Sequence, residues 1–434
     1  MRDTSIDEVV SEKAFAVLLS GPAEMFLRLA NRLVSIPDEG WTRRHYFQLV
    51  TEAEATESFL DDHGARRNQS YHELRELVAS VRGLSGVGFS LCHLKGRVAG
   101  YGTALDVQPE LSTKFTAALE QATSFARDSL RALLSEVRET CTRLGVTIPT
   151  ESFPEERYSS EHSRRLLPHN LGEEVLDEDQ QKIAEVATKY LEICHLMDRI
   201  ALPKSSSAAD REKWFAANCT EERARVYEAT VHNLQSAYDT YIKGTGLERN
   251  DPRLPALRGH VSAAFHLLEA VTQLVHFVER HEGQREGGLG ARVERLVDRA
   301  RARVVTLDVL LSWAGRFIQL GRPIAEELLP SYTNVQELEV QLPDGVMLHA
   351  RPASLIVGIV NHHGTPVEMY VEGRKCNAGS ILDLMVTVGT HPDARRFVFS
   401  GDENPLRDVR ILFESGLGEN GVDQLPPDLD YLRG

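Results

Sequence analysis

The sequence predicts an α+β protein of more than one domain: a bundle of long helices over residues 1–332, a small antiparallel sheet domain over 333–422, and a tail over 423–434. Three observations predict it. Up to about residue 330 apolar residues recur at spacings of three and four, the period of an amphipathic helix. From Val335 the period drops to two, as in half-buried strands. Gly- and Pro-bearing polar breaks punctuate both regions.

In the helical region the clearest element is 109–144, where Phe115, Ala118, Leu119, Ala122, Phe125, Leu130, Leu133, Leu134 and Val137 form one apolar stripe. Similar stripes predict helices over 173–202, 210–243, 255–282 and 291–320, which together make a bundle. The charged stretch 145–172, with Pro149, Pro154 and Pro168, is a possible subdivision of the bundle around 146–171, or a loop within it. A second break, 202–208, contains three consecutive serines.

In the C-terminal region Val335-Gln336-Glu337-Leu338-Glu339-Val340, Val367-Glu368-Met369-Tyr370-Val371 and Arg396-Phe397-Val398-Phe399 alternate apolar with polar residues, and a short strand is placed around 374–377. Helical patterns lie between them at 350–362, 380–386 and 404–415, the last with Leu406, Val409, Leu412 and Phe413 on one face. The order β-α-β-β-α-β-α implies an antiparallel sheet carrying its helices on one face.

Composition narrows the function. A net charge of −15 argues against nucleic acid or an anionic membrane, which bind through clustered Lys and Arg. No unbroken run of about 18 apolar residues and no signal-peptide pattern is found, so a cytoplasmic location without a membrane partner is expected. The five cysteines are scattered and never form a C-x-x-C pair, so free thiols are expected rather than disulfides or zinc.

The chemistry concentrates in Gly345-Val346-Met347-Leu348-His349-Ala350-Arg351-Pro352-Ala353-Ser354, where a strand gives way to a helix. Pro352 fits a first turn, where its missing N–H costs nothing, and this sets His349 at or near the N-cap. First-turn amides and the positive end of the helix dipole suit a phosphate on the imidazole, with Arg351 as a charged fork beside it. Imidazole is a competent nucleophile at neutral pH.

Leu348-His349-Ala350-Arg351-Pro352-Ala353 resembles the active-site signature of the HPr family of bacterial phosphocarriers. Asn377-Ala378-Gly379-Ser380-Ile381-Leu382-Asp383-Leu384-Met385 resembles that family's second landmark, a serine opening a short helix, and its separation from His349 also agrees. The resemblance spans roughly 335–421 and implies an open-faced β-sandwich of four strands and three helices. It further implies that His349 takes a phosphoryl group on Nδ1 from enzyme I and passes it to an enzyme IIA domain, while Arg351 and the Ala350 and Arg351 amides stabilise the group. Ser380 would be a target of HPr kinase; independently, it reads as a helix cap with Asp383 three residues on. Met347, Leu348, Ile381, Leu384 and Met385 would form the docking face, core packing being the competing explanation for Leu348, Ile381 and Leu384. Met347 stands where the family usually has Gly, with Gly345 two residues earlier, and Gly379 stands where many members carry a basic residue.

No cofactor or metal is expected. His266 with Glu269, and His276 with Glu279, sit three apart on one helix as bundle metal ligands do, but satisfied polar contacts explain them more simply. The run Arg292, Arg295, Arg299, Arg301 and Arg303 reads as a solvated face paired with neighbouring acids. The expected function is therefore a phosphocarrier in a phosphoenolpyruvate-dependent phosphotransferase system, in a regulatory role. The alternative is a helical ligand-binding protein or enzyme whose C-terminal domain serves as sensor or interaction module.

Overall fold

A computed structural model describes residues 9–151, 153, 180–200, 202, 207–282, 291–343 and 346–433, the side chains of 281, 282, 291, 292 and 294 excepted. The chain is mostly helical with one four-stranded antiparallel sheet, an α+β architecture. It divides into two compact units: the described residues of Met1–Gly172, Ile200–His232 and Gly259–Ile318, and those of Glu173–Arg199, Asn233–Arg258 and Gln319–Gly434.

The first unit is wholly helical. Its leading elements are α1 (Glu12–Ser20), α2 (Glu24–Ser35), α3 (Arg43–Asp62), α4 (His72–Arg97) and α5 (Pro109–Leu144), the last over the residues its apolar stripe predicts. Helices α3 and α4 meet closely because α4 carries Gly88: a Cβ there would stand 2.2 Å from the Tyr46 ring. Around α4 the interior is charged as well as apolar. Arg75, 1% exposed, bonds Asp61 with both Nε and Nη2 at 2.8 Å, Glu57 at 2.7 Å and Glu76 at 3.0 Å. Glu76 also receives Arg280, and Glu57 receives Arg82. Hydrogen bonds from Arg75 and Arg66 hold the Asp61 carboxyl far below the usual carboxylate range.

Several long sequence patterns break where a polar side chain captures a backbone amide. Residues 210–243 form α7 (Ala208–Asn218) and α8 (Glu221–Tyr241), because Thr220 Oγ1 accepts the Arg223 N–H and starts a new helix. Helix α6 is described over Gln180–Asp198, a short α9 over Gly246–Asn250, and α10 over Arg253–Glu282. The pattern 291–320 is interrupted after α11 (Ala291–Leu296), where Asp298 Oδ1 caps α12 (Arg299–Val304) through the Arg301 amide. A π-helical stretch, Val305–Leu311, leads into α13 (Ser312–Ser331), which continues through Pro323 beyond the expected end. Residues 154–179, most of the proposed subdivision, and 203–206 of the serine break lie outside the described residues.

Averaged over 18-residue windows, three helical stretches are long and apolar enough to cross a membrane: His72–Gly100, Arg253–Arg280 and Arg299–Ser331. Single polar residues interrupt each of these stretches, which is why the sequence shows no unbroken run of about 18 apolar residues. Of those windows, 67%, 72% and 61% is buried inside the protein.

The second unit contains the sheet. Strands β1 (Val335–Gln341), β2 (Val367–Val371), β3 (Arg374–Asn377) and β4 (Arg396–Asp402) lie in the order β1-β4-β2-β3, all neighbours antiparallel. Leu338 faces Phe399 across β1 and β4, and Met369 faces Phe399 across β2 and β4. Helices α14 (Ala350–His363), α15 (Ile381–Thr390) and α16 (Glu403–Glu414) contribute Ile356, Ile359, Leu384, Val409 and Leu412 to one core shared with the inward residues of the strands. The final residues close the same core: Leu425 and Leu429 are buried in it, and the Tyr431 hydroxyl donates to Asp408 at 2.7 Å. Helix α6 braces the sheet domain through Gln181, which donates to the His363 carbonyl at 3.2 Å and accepts from Asn404 at 3.0 Å.

Candidate functional site

Leu342 and Leu348, both buried, pin the two ends of the loop after β1. Arg395 Nη2 donates to the Leu342 and Pro343 carbonyls at 3.0 and 2.5 Å. Residues 344 and 345 lie outside the described residues, so the expected role of Gly345 in shaping this loop does too. His349 then takes an extended backbone (φ −109°, ψ −169°) and caps α14. Its Nδ1 accepts the Arg351 N–H at 3.3 Å, and the first helical bond runs from the Ala353 N–H to the His349 carbonyl. Pro352 occupies the third position of the helix, where no donor is needed.

On its other edge the ring meets a residue that the sequence did not reveal. His349 Nε2 lies 2.8 Å from Glu419 Oε1, with the imidazole 49% and the carboxylate 32% exposed. Glu419 reaches this position through the end of α16. There the Gly416 and Leu417 amides donate back to Phe413 and Leu412, a Schellman closure that sets Gly416 at φ 81°. Leu417 continues in the left-handed region at φ 60°, a strained choice for a leucine that full burial of its side chain offsets. At Gly418, φ 71°, a Cβ would also strike Leu355 at 2.6 Å. The only available signal was that glycine-rich turn, some seventy residues from His349.

Arg351 is exposed, and its guanidinium has no partner among the described residues. The Ala350 amide is likewise free of a partner among them. A phosphate on Nδ1 therefore finds the Ala350 and Arg351 amides, the helix dipole and an unpaired guanidinium within the same first turn.

Ser380 is not brought to this place. Its Oγ accepts the Asp383 N–H at 3.3 Å and caps α15, while its own amide donates to Asn377, so the reciprocal arm of a capping box is not made. The adjoining Gly379 sits against Val360 and Asn361 at the C-terminal end of α14, whereas His349 is at the other end, roughly 16 Å along the axis. The apolar face also differs from expectation. Leu348 and Leu384 belong to the core at 4% and 0% exposure, and Met385 is half-buried against it. Met347 and Ile381 are exposed, and Leu382 and Val386 join them. Helix α15 turns Leu384 inward, and this forces positions two before and two after it outward.

Elsewhere several polar clusters pair within themselves. His363 Nε2 lies 2.7 Å from Asp408, which also receives Tyr431 and Arg407; burial raises the Asp408 carboxyl, but those hydrogen bonds outweigh it and leave it lowered. His266 Nδ1 does meet Glu269, at 2.7 Å, but His276 Nδ1 meets Glu221 at 2.6 Å rather than Glu279. No group of three or more His, Cys, Asp or Glu among the described residues is arranged to hold a metal. Of the arginine run, Arg301 pairs with Asp128 and Arg303 with Glu212, while the Arg292 side chain is outside the described residues. None of the five cysteines is in a disulfide; burial pushes Cys141, Cys194 and Cys219 up to about 12. A cleft of about 370 Å³ in the first unit, lined by Trp41, Tyr46, Lys95, Glu120 and Arg127 among others, pairs Lys95 with Glu120 and Arg127 with Asp38, while Trp41 Nε1, the Tyr46 hydroxyl and Arg127 Nε have no hydrogen-bond partner among the described residues.

Fold and site together define an α+β module that presents a histidine and an unpaired arginine at the start of a helix. No family model, no curated protein and no solved structure matches the chain.

Proposed function

We propose that this chain is an HPr-like phosphocarrier, in which His349 accepts a phosphoryl group from a phosphohistidine donor of the enzyme I type and hands it to an acceptor of the enzyme IIA type. The observation that carries the reading is His349 capping α14 with Nδ1 turned to the first-turn amides, beside the unpaired Arg351. The lone pair of the ring nitrogen attacks phosphorus, the donor's P–N bond breaks and the donor imidazole keeps the electron pair. The site supplies position and charge rather than acid–base chemistry. Ala350 and Arg351 receive the phosphoryl oxygens. Exposed Met347 before α14, and Ile381, Leu382 and Val386 on α15, offer apolar contacts for transient docking. Ser380, far along α14 from the histidine, would act as a modification site by placing charge beside Ile381 and Leu382, not by touching His349. Fusion to a helical unit favours a regulatory task over bulk sugar transport, in the cytoplasm.

The test is transfer from phosphoenolpyruvate through purified enzyme I to the full chain, read by intact mass at mildly basic pH. One acid-labile phosphate is expected on the wild type and none on His349→Ala, with Arg351→Ala slowed about a hundredfold. No label on folded wild type, with enzyme I from its own source, overturns the reading.

A further inference from the structure

We propose that Glu419 is a positioning residue for His349: it engages Nε2, locks the ring and confines phosphorylation to Nδ1. The inference rests on the phosphoryl-acceptor reading above and specifies which atom of the site reacts and why.

The geometry assigns the two ring nitrogens different jobs. Nδ1 accepts an amide N–H, so it presents a lone pair. Nε2 stands 2.8 Å from a carboxylate oxygen, a distance that two acceptors do not share, so Nε2 carries the hydrogen. Glu419 Oε1 is closed to solvent and makes no well-aligned hydrogen bond among the described residues, which leaves the imidazole edge 2.8 Å away as the polar neighbour that can answer its charge. Rotation of the ring by half a turn would break both contacts at once.

A carboxylate on Nε2 acts in two ways. It occupies the nitrogen that an incoming phosphoryl group would otherwise reach at the exposed edge of the ring, and its negative charge repels an anionic donor there. Once Nδ1 bears phosphorus and Nε2 keeps its proton, the ring carries positive charge, which Glu419 faces directly; the same logic holds an imidazolium in place beside an aspartate in acyl-transfer triads. The left-handed run Gly416–Leu417–Gly418, with Leu417 anchored in the core, holds the carboxylate at its post.

Phosphoramidate tests this without any partner protein. The attacking ring nitrogen forms a P–N bond, the P–N bond of phosphoramidate breaks, ammonia departs, and the ring keeps its Nε2 proton. Full-length wild type, Glu419→Ala and Glu419→Gln are treated with it, and the isomer formed on His349 is read by nitrogen and phosphorus NMR against a His349→Ala control. The wild type is expected to give the Nδ1 isomer, and Glu419→Ala to add the Nε2 isomer in comparable amount. Glu419→Gln, whose amide oxygen can stand at the same place beside Nε2, should keep the wild-type selectivity. In the enzyme I assay Glu419→Ala should be slower about tenfold. An Nε2 product in the wild type, no product on His349, an unchanged isomer ratio in Glu419→Ala, or lost selectivity in Glu419→Gln would overturn the inference. Failure of enzyme I to label the wild type overturns the carrier reading instead and leaves the isomer assay readable.

Discussion

The two units use charge in opposite ways. Around Arg75 in the helical unit, opposite charges answer one another: one guanidinium meets three carboxylates, and each of those meets a further arginine. Around His349 the charges lie half-exposed and the balance is left open. The ring lies between an amide and a carboxylate, yet the Arg351 guanidinium beside it has no partner among the described residues. Charge that is fully paired and buried specifies structure, since removing any member strands the others. Charge held in place but unpaired at a helix N-terminus is available to an anion.

The sharpest way to break that comparison is to remove Arg75. Its loss leaves Glu57, Asp61 and Glu76 without their shared partner, and Arg75→Leu is expected to cost about 3–5 kcal/mol. All three tryptophans, Trp41, Trp214 and Trp313, belong to the helical unit, so urea unfolding followed by tryptophan fluorescence reads that unit. Phosphoryl transfer to His349 in the absence of urea should remain. A variant with unchanged urea midpoint would show that the buried network contributes no net stability.

Acid offers a second, smaller lever. Asp61, lowered by the hydrogen bonds of Arg75 and Arg66, contributes stability that is complete above its unfolded value near 3.9 and is lost as the pH falls through the lower folded value. Burial also draws His93 and His260 down to about 4; each must be neutral in the fold, so each adds a loss that begins as the pH drops below about 6.5. The histidine contribution is common to wild type and Arg75→Leu; the Asp61 contribution is not. The gap between their urea midpoints should therefore be wide at pH 7 and narrow between pH 4 and 2. Parallel curves would mean that Asp61 gains nothing from Arg75.

How much of this was legible in sequence depended on range. Period-two alternation located β1, β2 and β4, with the four-residue β3 too short to show a period, and the stripe over 109–144 located α5, because both signals repeat within one element. Breaks at Thr220 and Asp298 were missed because a single side chain captures one amide, which leaves the apolar period intact on either side. At the site, His349 and Arg351 were visible as a strand-to-helix boundary with Pro352 following. Glu419 was not, since its approach depends on how α16 returns and on a left-handed turn, neither of which has a period. Leu348 and Leu384 were read as candidates for the docking face because sequence gives the apolar character of a helix position but not which way a ten-residue helix is turned. Leu382 and Val386 went unread for the same reason.

The smallest expected effect concerns Ser380, where capping and modification meet. Its hydroxyl satisfies one first-turn amide of α15, the Asp383 N–H, so Ser380→Ala should cost about 1 kcal/mol and Ser380→Asp very little, since aspartate caps as well as serine. The loss should be local: faster amide hydrogen exchange in the first turn of α15, with the tryptophan transition of the helical unit unmoved. Because Gly379 packs at the far end of α14 from the histidine, Ser380→Ala should leave chemical phosphorylation of His349 by phosphoramidate unchanged. Ser380→Asp puts negative charge beside exposed Ile381 and Leu382, and should slow enzyme I-dependent labelling while sparing the phosphoramidate reaction. Equal slowing of both reactions would mean that Ser380 communicates with the ring itself, and the separation of capping site from phosphoryl site along α14 would have to be abandoned.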